Sequence, residues 1–444
     1  MSLFDDPVEA HRAFRGKVQM LPRCPVTGRR DFDVWYTPGV AGACLAIRDD
    51  PDEVFALTAK GNTVAIVTNG TRVLGLGDIG PEAGLPVMEG KALLFKYLGG
   101  VDAVPICLDT HDPAELVRTA LLLQPSFGAI NLEDIAQPTC FRVLDDLRAA
   151  ARIPVWHDDQ QGTATVVLAA LLNALQVVGK SLDAVRVTLV GMGAANVASF
   201  RLLLHAGVDP GAIVACDSQG TLHRGRADVE AARRRYPDKW HACMVSNADG
   251  VVGGVAEALR GSDVCIAFSR PGPGTIRPEW VAGMAPGAVV FACANPVPEI
   301  DPASAHAAGA RVVGTGRGDH PNQVNNSLAF PGVFRGVLDV RASSITDEMT
   351  LAAAHAVAGF AAARGLREDA IVPTMDDWAL YPEVATAVGV AAHDEGLARM
   401  WPGEQALRQQ ATETISTARA STTALLDAGC ISPRRSPSPR TQRR

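Results

Sequence analysis

The chain has 444 residues, 47% hydrophobic and 20% charged, enough for a globular, soluble protein of two or three domains. Its acidic start, Met1-Ser-Leu-Phe-Asp-Asp-Pro, lacks the basic end and apolar centre of a secretion signal. The longest apolar stretch, Ala164 to Val178, is broken by Asn173 and Gln176 and reads as a buried helix too short to span a bilayer. Nine cysteines form no Cys-x-x-Cys pair, and Cys107, Cys216, Cys265 and Cys293 lie in apolar runs, so reduced core residues in a cytoplasmic protein are expected.

In chain order, the alternation from Thr63 to Gly77 around Asn69-Gly70 predicts a two-residue hairpin and a small antiparallel element. Apolar runs at 101–108, 128–132 and 153–156 then alternate with helical patterns at 88–98, 112–123 and 139–150, which predicts right-handed βαβ units and a parallel sheet. A second α/β block starts near Asp183. Its first strand, from Val185, runs into Gly191-Met-Gly-Ala-Ala-Asn196 and a helix, with further strands at 212–216, 264–268, 288–294 and 311–313. Helical patterns dominate from about Thr346 to Thr417, and these helices are expected to return onto the first block. The formal charge of −7 includes five arginines and no acid in Pro433 to Arg444, leaving −12 on the rest. That end is expected to be a disordered basic tail, and its composition favours a solvated end over a nucleic-acid arm.

The ends of two successive strands carry the chemistry. Ala129-Ile-Asn-Leu-Glu-Asp-Ile135 and Trp156-His-Asp-Asp-Gln-Gln-Gly-Thr-Ala164 would bring Glu133, Asp134, Asp158 and Asp159 to one crevice, where parallel sheets bind ligands. Carboxylates without a ligating His or Cys suit Mg²⁺ or Mn²⁺. Glu133 and Asp134 could share an ion only where the strand has already turned into its loop, since neighbours on a strand point opposite ways. Singly, each acid also fits a helix cap or a surface charge, and His157 fits a packing residue better than a ligand.

Lys91 stands among apolar residues at an expected helix start, where a basic side chain opposes the helix dipole; the alternative is a snorkelling surface lysine. Tyr36 precedes a turn in a chain with four tyrosines, and could equally be a packing aromatic. Gly191-x-Gly193-x-x-Asn196 matches the first two glycines of a dinucleotide fingerprint, with Ala194 and Ala195 opening the helix and Asn196 in place of the third glycine. Asp217, at the next strand end, could bind ribose hydroxyls. His223, Arg224 and Arg226 could hold a 2′-phosphate or be solvated, which leaves NAD or NADP open.

These pieces, in collinear order from about Trp35 to Phe360, resemble the malic enzymes, and most of all their shorter prokaryotic members. They are Tyr36-Thr-Pro-Gly-Val, Arg72-Val-Leu-Gly-Leu-Gly-Asp-Ile-Gly, Gly90-Lys91, Asn131-Leu-Glu-Asp-Ile, Asp158-Asp-Gln-Gln-Gly-Thr-Ala, the Gly191 turn, Ala294-Asn-Pro, and Pro321-Asn-Gln-Val-Asn-Asn-Ser-Leu-Ala-Phe-Pro-Gly. The resemblance implies oxidative decarboxylation of L-malate to pyruvate and CO₂ with NAD or NADP and Mg²⁺ or Mn²⁺. It implies metal ligands Glu133, Asp134 and Asp159, a general base Lys91 whose pKa is lowered by burial and the cation, a general acid Tyr36, and Asp158 orienting Lys91. Arg72, Asn295 and Asn326 would hold substrate, with Asn295 also near the cofactor, while Asn325 could point into the structure. Gln161 stands where short relatives often carry His.

The implied fold is α/β: a catalytic parallel-sheet domain over residues 1–180, a Rossmann-like domain over 181–345, helices over 346–430 and the tail over 431–444. The implied partners are malate or pyruvate and a second copy of the chain in a homodimer or larger homo-oligomer, with no membrane. Two other outcomes stay open: a malolactic-type or other 2-hydroxy acid oxidoreductase on the same fold, and a nucleotide-binding regulator without catalysis.

Overall fold

The computed structural model of the chain describes residues 6–432, so the basic tail from Pro433 lies outside the described residues. Two sheets organise it. The first has strand order β2-β1-β3-β4, with β1 Thr63–Thr68, β2 Asp102–Cys107, β3 Ala129–Leu132 and β4 Val155–His157, all parallel. The chain steps from β1 to β2 on one side and then to β3 on the other, so the ends of β1 and β3 form a topological switch point, where such sheets open a crevice.

The expected hairpin does not form. Both edges of β1 are taken by parallel partners, Ala65 facing Val104 on one side and Ile130 on the other. After Asn69-Gly70 the chain therefore leaves the sheet; only an isolated antiparallel bridge, Val73 to Gly77, remains of the predicted element. The following helix spans Pro81–Gly99 with proline in its first turn, so Lys91 lies in its middle and not at its start.

The second sheet has the order β10-β9-β8-β5-β6-β7: β5 Val187–Val190, β6 Ile213–Asp217, β7 Gly220–Thr221, β8 Val264–Ala267, β9 Val289–Ala292 and β10 Val312–Thr315. All pairs are parallel except β6 with β7. Its switch point is the end of β5, flanked by β6 and β8, where the glycine turn stands. Cys216, Cys265 and Cys293 are buried in this block, Cys107 is half-buried, and all nine cysteines are free thiols.

The helices beyond residue 330 brace both blocks, as expected for the first. Phe330–Asp339, buried along its whole length, packs on Pro81–Gly99, where Phe95 meets Phe330 at 4.6 Å and Phe334 at 5.0 Å. Glu404–Asp427 packs on the same helix, and Asp347–Ala362 packs on Thr163–Val178. With the turn before it, that last helix forms a run Asp158–Val178, long and apolar enough by length and composition to cross a membrane, contrary to the expectation that it is too short; 72% of its most apolar window is buried inside the fold. Asn173 interrupts the apolar run because its amide donates to the carbonyls of Ala358 at 3.0 Å and Ile371 at 2.8 Å.

Candidate active site

β3 ends at Leu132, and the chain turns at once. Asp134 takes a left-handed conformation at φ 53°, uncommon for a residue with a side chain and a marker of functional turns. Glu133 and Asp134 have thus left strand register, the condition for both to face one ion. The Asp134 N–H donates to Asp159 Oδ2 at 2.8 Å, and the Arg72 N–H donates to the Asp134 carbonyl at 3.0 Å, tying together the loops after β1, β3 and β4.

β4 runs into a single π-helical turn, Asp158–Gly162, a form that recurs at functional sites. It folds Asp158 inward, at 0% exposure. A Cβ on Gly162 would come within 2.0 Å of Asp158 Oδ1, so this close approach admits no side chain.

Lys91 completes the centre. Its Nζ lies 2.8 Å from Glu133 Oε1, donates to Asp158 Oδ2, and stands 4.3 Å above the Phe330 ring. The partners are themselves held: Asn131 donates to Glu133 Oε2 at 2.9 Å and the Trp156 indole to Asp158 Oδ1 at 3.0 Å. Burial pulls the Lys91 pKa down, but attraction by Asp158 and Glu133 outweighs it and holds the ammonium above its ordinary range. The lowered value expected from burial is therefore not found in this arrangement.

The acids show the opposite imbalance. Burial, then repulsion from Asp159, pushes Asp134 up to about 8; burial raises Glu133 well above its usual range despite Lys91, and raises Asp159. Four carboxylates thus crowd around one ammonium, and Asp134 Oδ2 is buried with no hydrogen-bond partner. Oxygen donors carrying unbalanced charge fit a hard divalent cation. Among the described residues, however, no three His, Cys, Asp or Glu side chains already stand as a set able to hold an ion. Both Glu133 oxygens are engaged by Lys91 and Asn131, so Glu133 would have to turn from one of them.

His157 is fully buried, and neither ring nitrogen has a hydrogen-bond partner. Its Nδ1 is 3.7 Å from Asp159 Oδ2, and burial lowers its pKa to about 3, which keeps it neutral. Gln161 Oε1 accepts the His157 N–H at 3.0 Å and so braces the turn.

The substrate candidates sit around the rim. Arg72 is exposed, and its charge is felt by Asp134 and Asp159. Asn295 is exposed after β9; its carbonyl is where a Cβ on Gly75 of the Arg72 loop would collide, at 2.5 Å. Asn326 is half-buried, its Cβ 3.2 Å from where a Gly162 Cβ would stand. Asn325, half-buried, caps the short turn that follows, its side chain accepting the Ser327 N–H at 2.9 Å. Tyr36 is not brought in: it is 71% exposed, within a segment, residues 6–59, that contains no buried residue.

The second crevice is built around Gly191, at φ 89°, where a Cβ would meet the Phe268 carbonyl at 2.5 Å. Helix Ala194–His205 follows with no side-chain cap, so its first N–H groups are free for an anion; Gly193, Ala194 and Ala195 are half-exposed there. Asn196 behaves otherwise than its place in the fingerprint suggests. At 0% exposure, its amide donates to the carbonyls of Val190 at 3.1 Å, Gly191 at 2.7 Å and Ile266 at 3.2 Å, pinning β5, the turn and β8 together instead of facing a ligand.

Three contributors escaped sequence reasoning. Trp156 and Phe330 lie inside motifs read from the sequence but had no role assigned there, and only their partners reveal them. Glu299, fully buried, accepts from the Ser269 N–H at 2.7 Å and the Ala294 N–H at 3.0 Å, fixing the loops after β8 and β9 beside Asn295.

Two family profiles match the chain: malic enzyme N-terminal domain over residues 15–121, and malic enzyme NAD binding domain over residues 160–394. Glu133, Asp134, Asp158 and Asp159 fall in the interval between them. A bifunctional malic/malolactic enzyme of Bacillus subtilis is 46% identical over 90% of this chain and 95% of its own length, and an NAD-dependent malic enzyme of Geobacillus stearothermophilus 47% over 86% and 78%. An NADP-dependent malic enzyme of Escherichia coli is 41% identical over 86% of the chain, which spans about half of that longer protein. The crystal structure of the Entamoeba histolytica malic enzyme superposes with a TM-score of 0.93 at 47% identity, covering 96% of this chain and 89% of that one. That of Pyrococcus horikoshii gives 0.91 at 44% identity, covering 96% and 99%. With two crevices of the expected construction and this identity along nearly its whole length, the chain belongs to the malic enzyme family.

Proposed function

We infer that this protein oxidatively decarboxylates L-malate to pyruvate and CO₂, reducing NAD or NADP in the presence of Mg²⁺ or Mn²⁺. The observation that carries this is the buried Lys91, Asp158 and Glu133 cluster at the switch point of one sheet, joined through the Gly75 and Asn295 contact to the dinucleotide crevice of the other. Residues 1–180 would carry metal and substrate, 181–345 the dinucleotide, and 346–430 the bracing helices.

When bound, the dinucleotide would supply the hydride acceptor, and Glu133, Asp134 and Asp159 would hold a divalent cation whose chemistry is to polarise the substrate's C2 oxygen. Arg72 would grip a malate carboxylate through its planar fork, with Asn295 and Asn326 fixing the remaining oxygens. Lys91 would take the C2 hydroxyl proton. To do so it must first lose one, and Glu133, which now stabilises its charge, is the group that metal ligation would draw away. Asp158 keeps Nζ aimed throughout. After CO₂ departs, Tyr36 would protonate C3 of enolpyruvate.

Tyr36 lies in a segment rich in exposed apolar side chains, among them Met20, Phe32, Val34 and Trp35, and the adjacent helix exposes Leu85, Leu93 and Tyr97. Patches of this kind mark association surfaces. A second copy of the chain would cover this face and seat Tyr36 against an active site, which supports a homodimer or a larger homo-oligomer. The nine free thiols support a cytoplasmic location.

One relative is named a bifunctional malic/malolactic enzyme, so a second outcome is weighed: malate converted to lactate and CO₂ with no net reduced dinucleotide. Product analysis separates them. Pyruvate and reduced dinucleotide in equal amounts support the first, and lactate without reduced dinucleotide supports the second.

A further inference from the structure

Glu299 lies beyond the end of β9 and is fully buried, where an ionisable side chain is expensive to keep out of water. Its carboxylate spans two loops. Oε1 accepts from the Ser269 N–H at 2.7 Å and from Ser269 Oγ at 3.0 Å, and Oε2 accepts from the Ala294 N–H at 3.0 Å. Ser269 follows β8 and Ala294 follows β9, so each oxygen holds the chain at the end of a different strand. A carboxylate offers acceptors at both ends, whereas a glutamine of the same shape would turn its NH₂ toward one of the two N–H groups and release that loop.

Each of those loops backs one crevice. The Phe268 carbonyl and Ser269 Cα stand 2.5 Å and 3.1 Å from where a Cβ on Gly191 would fall, so the loop after β8 lies directly behind the dinucleotide turn. On the other side the Asn295 carbonyl stands 2.5 Å from where a Cβ on Gly75 would fall, and Gly75 shares its loop with Arg72, whose N–H donates to the Asp134 carbonyl at 3.0 Å. Gly191, Ser269, Glu299, Asn295, Gly75 and Arg72 thus make a continuous series of close contacts from the dinucleotide turn to the substrate arginine. Glu299 is the link in it that a side chain makes. Further out, the Gly272 N–H donates to the Val297 carbonyl at 3.2 Å and the Ile276 N–H to the Glu299 carbonyl at 3.1 Å, backbone bonds that a change of the carboxylate leaves in place.

We propose that Glu299 is a positioning residue that couples the two crevices, holding the loop behind the dinucleotide turn and the loop of Asn295 in one register so that filling either crevice tightens the other. It acts through Ser269 and Ala294. A ligand seated against the Gly191 turn orders the loop after β8, the carboxylate passes that order to Ala294 and Asn295, and less ordering is left to pay when Asn295 and Arg72 grip a dicarboxylate. The proposal rests on the reading above, with malate and a dinucleotide as ligands, and deepens it.

The test is equilibrium binding of NAD and of NADP to the purified full chain by titration calorimetry in Mn²⁺, with and without saturating oxalate, a dicarboxylate with no carbon-bound hydrogen to transfer. In the parent, oxalate should tighten dinucleotide binding by roughly tenfold, within the usual range of coupling between sites. Glu299→Gln should bring that ratio to within about twofold of one, while dinucleotide binding without oxalate changes less. Gly75→Ala, which wedges a methyl against the Asn295 carbonyl and leaves Glu299 intact, should lose the ratio as well. An intact ratio in Glu299→Gln, whatever happens to the separate affinities, would make Glu299 a plain brace and overturn the proposal, as would a parent in which oxalate leaves dinucleotide binding unchanged. If Glu299→Gln does not fold, Gly75→Ala decides, and an intact ratio there overturns the proposal. If the parent binds neither NAD nor NADP, the dinucleotide-dependent reading fails first and the proposal with it.

Discussion

Lys91 Nζ sits 2.8 Å from Glu133 Oε1, so a residue expected to act as base and a residue expected to bind metal hold each other in the same buried pair. Were Glu133 to turn to a cation, Lys91 would keep Asp158 but lose the second carboxylate that stabilises its charge, so metal binding and the arming of the base would be coupled.

Divalent cation should therefore stabilise the protein as well as activate it. Adding Mn²⁺ should raise the melting temperature, because an ion that binds only the folded state shifts the equilibrium by mass action. Asp159→Asn should weaken Mn²⁺ binding by roughly tenfold or more and remove most of that rise. An unchanged rise in the variant would take Asp159 out of the ligand set.

The two proton-transfer roles are separable. Lys91→Ala should abolish malate oxidation yet retain some conversion of added oxaloacetate, a step that does not need the base. Tyr36→Phe removes only a hydroxyl and should depress protonation of enolpyruvate by roughly 10²- to 10⁴-fold. Deuterium exchange at C3 of pyruvate reads this directly: if Tyr36→Phe exchanges as fast as the parent while Lys91→Ala does not, the roles are reversed.

Association should be needed for that same step. Trp35→Glu places a charge on an exposed apolar face without touching the buried cluster, and sedimentation should show a smaller species with reduced turnover. A variant that keeps the parent's size and rate would show that the face has another use.

Asn196→Ala leaves three carbonyls without their shared donor and should destabilise the fold by about 1–3 kcal/mol in chemical denaturation. Dinucleotide binding should fall as the turn loosens. A change in binding with stability intact would instead make Asn196 a direct ligand of the cofactor.

The parallel strands, the order of both blocks and the acids at their ends were legible because burial on both faces leaves continuous apolar runs that stop where function begins. The helix Thr139–Ala150 matches its pattern residue for residue. Asn69-Gly70 misled because turn chemistry is local, whereas the pairing of β1 is decided by β2 and β3 from far along the chain. Gly84, Pro86 and Gly90 obscured the start of the helix bearing Lys91, which made a mid-helix lysine look terminal. The exposed position of Tyr36 was not legible, since a lone tyrosine before a turn reads the same whether it packs inside the chain or faces outward.

The most direct measurement follows dinucleotide absorbance and CO₂ release with L-malate and the purified full chain, with NAD and NADP in separate reactions, before and after thorough chelation and again after Mn²⁺ is restored. Metal-dependent oxidative decarboxylation should give coupled reduction and CO₂ release that stop on chelation and return with Mn²⁺. Full activity without a divalent cation, or no reduction of either dinucleotide with the metal present, would contradict it.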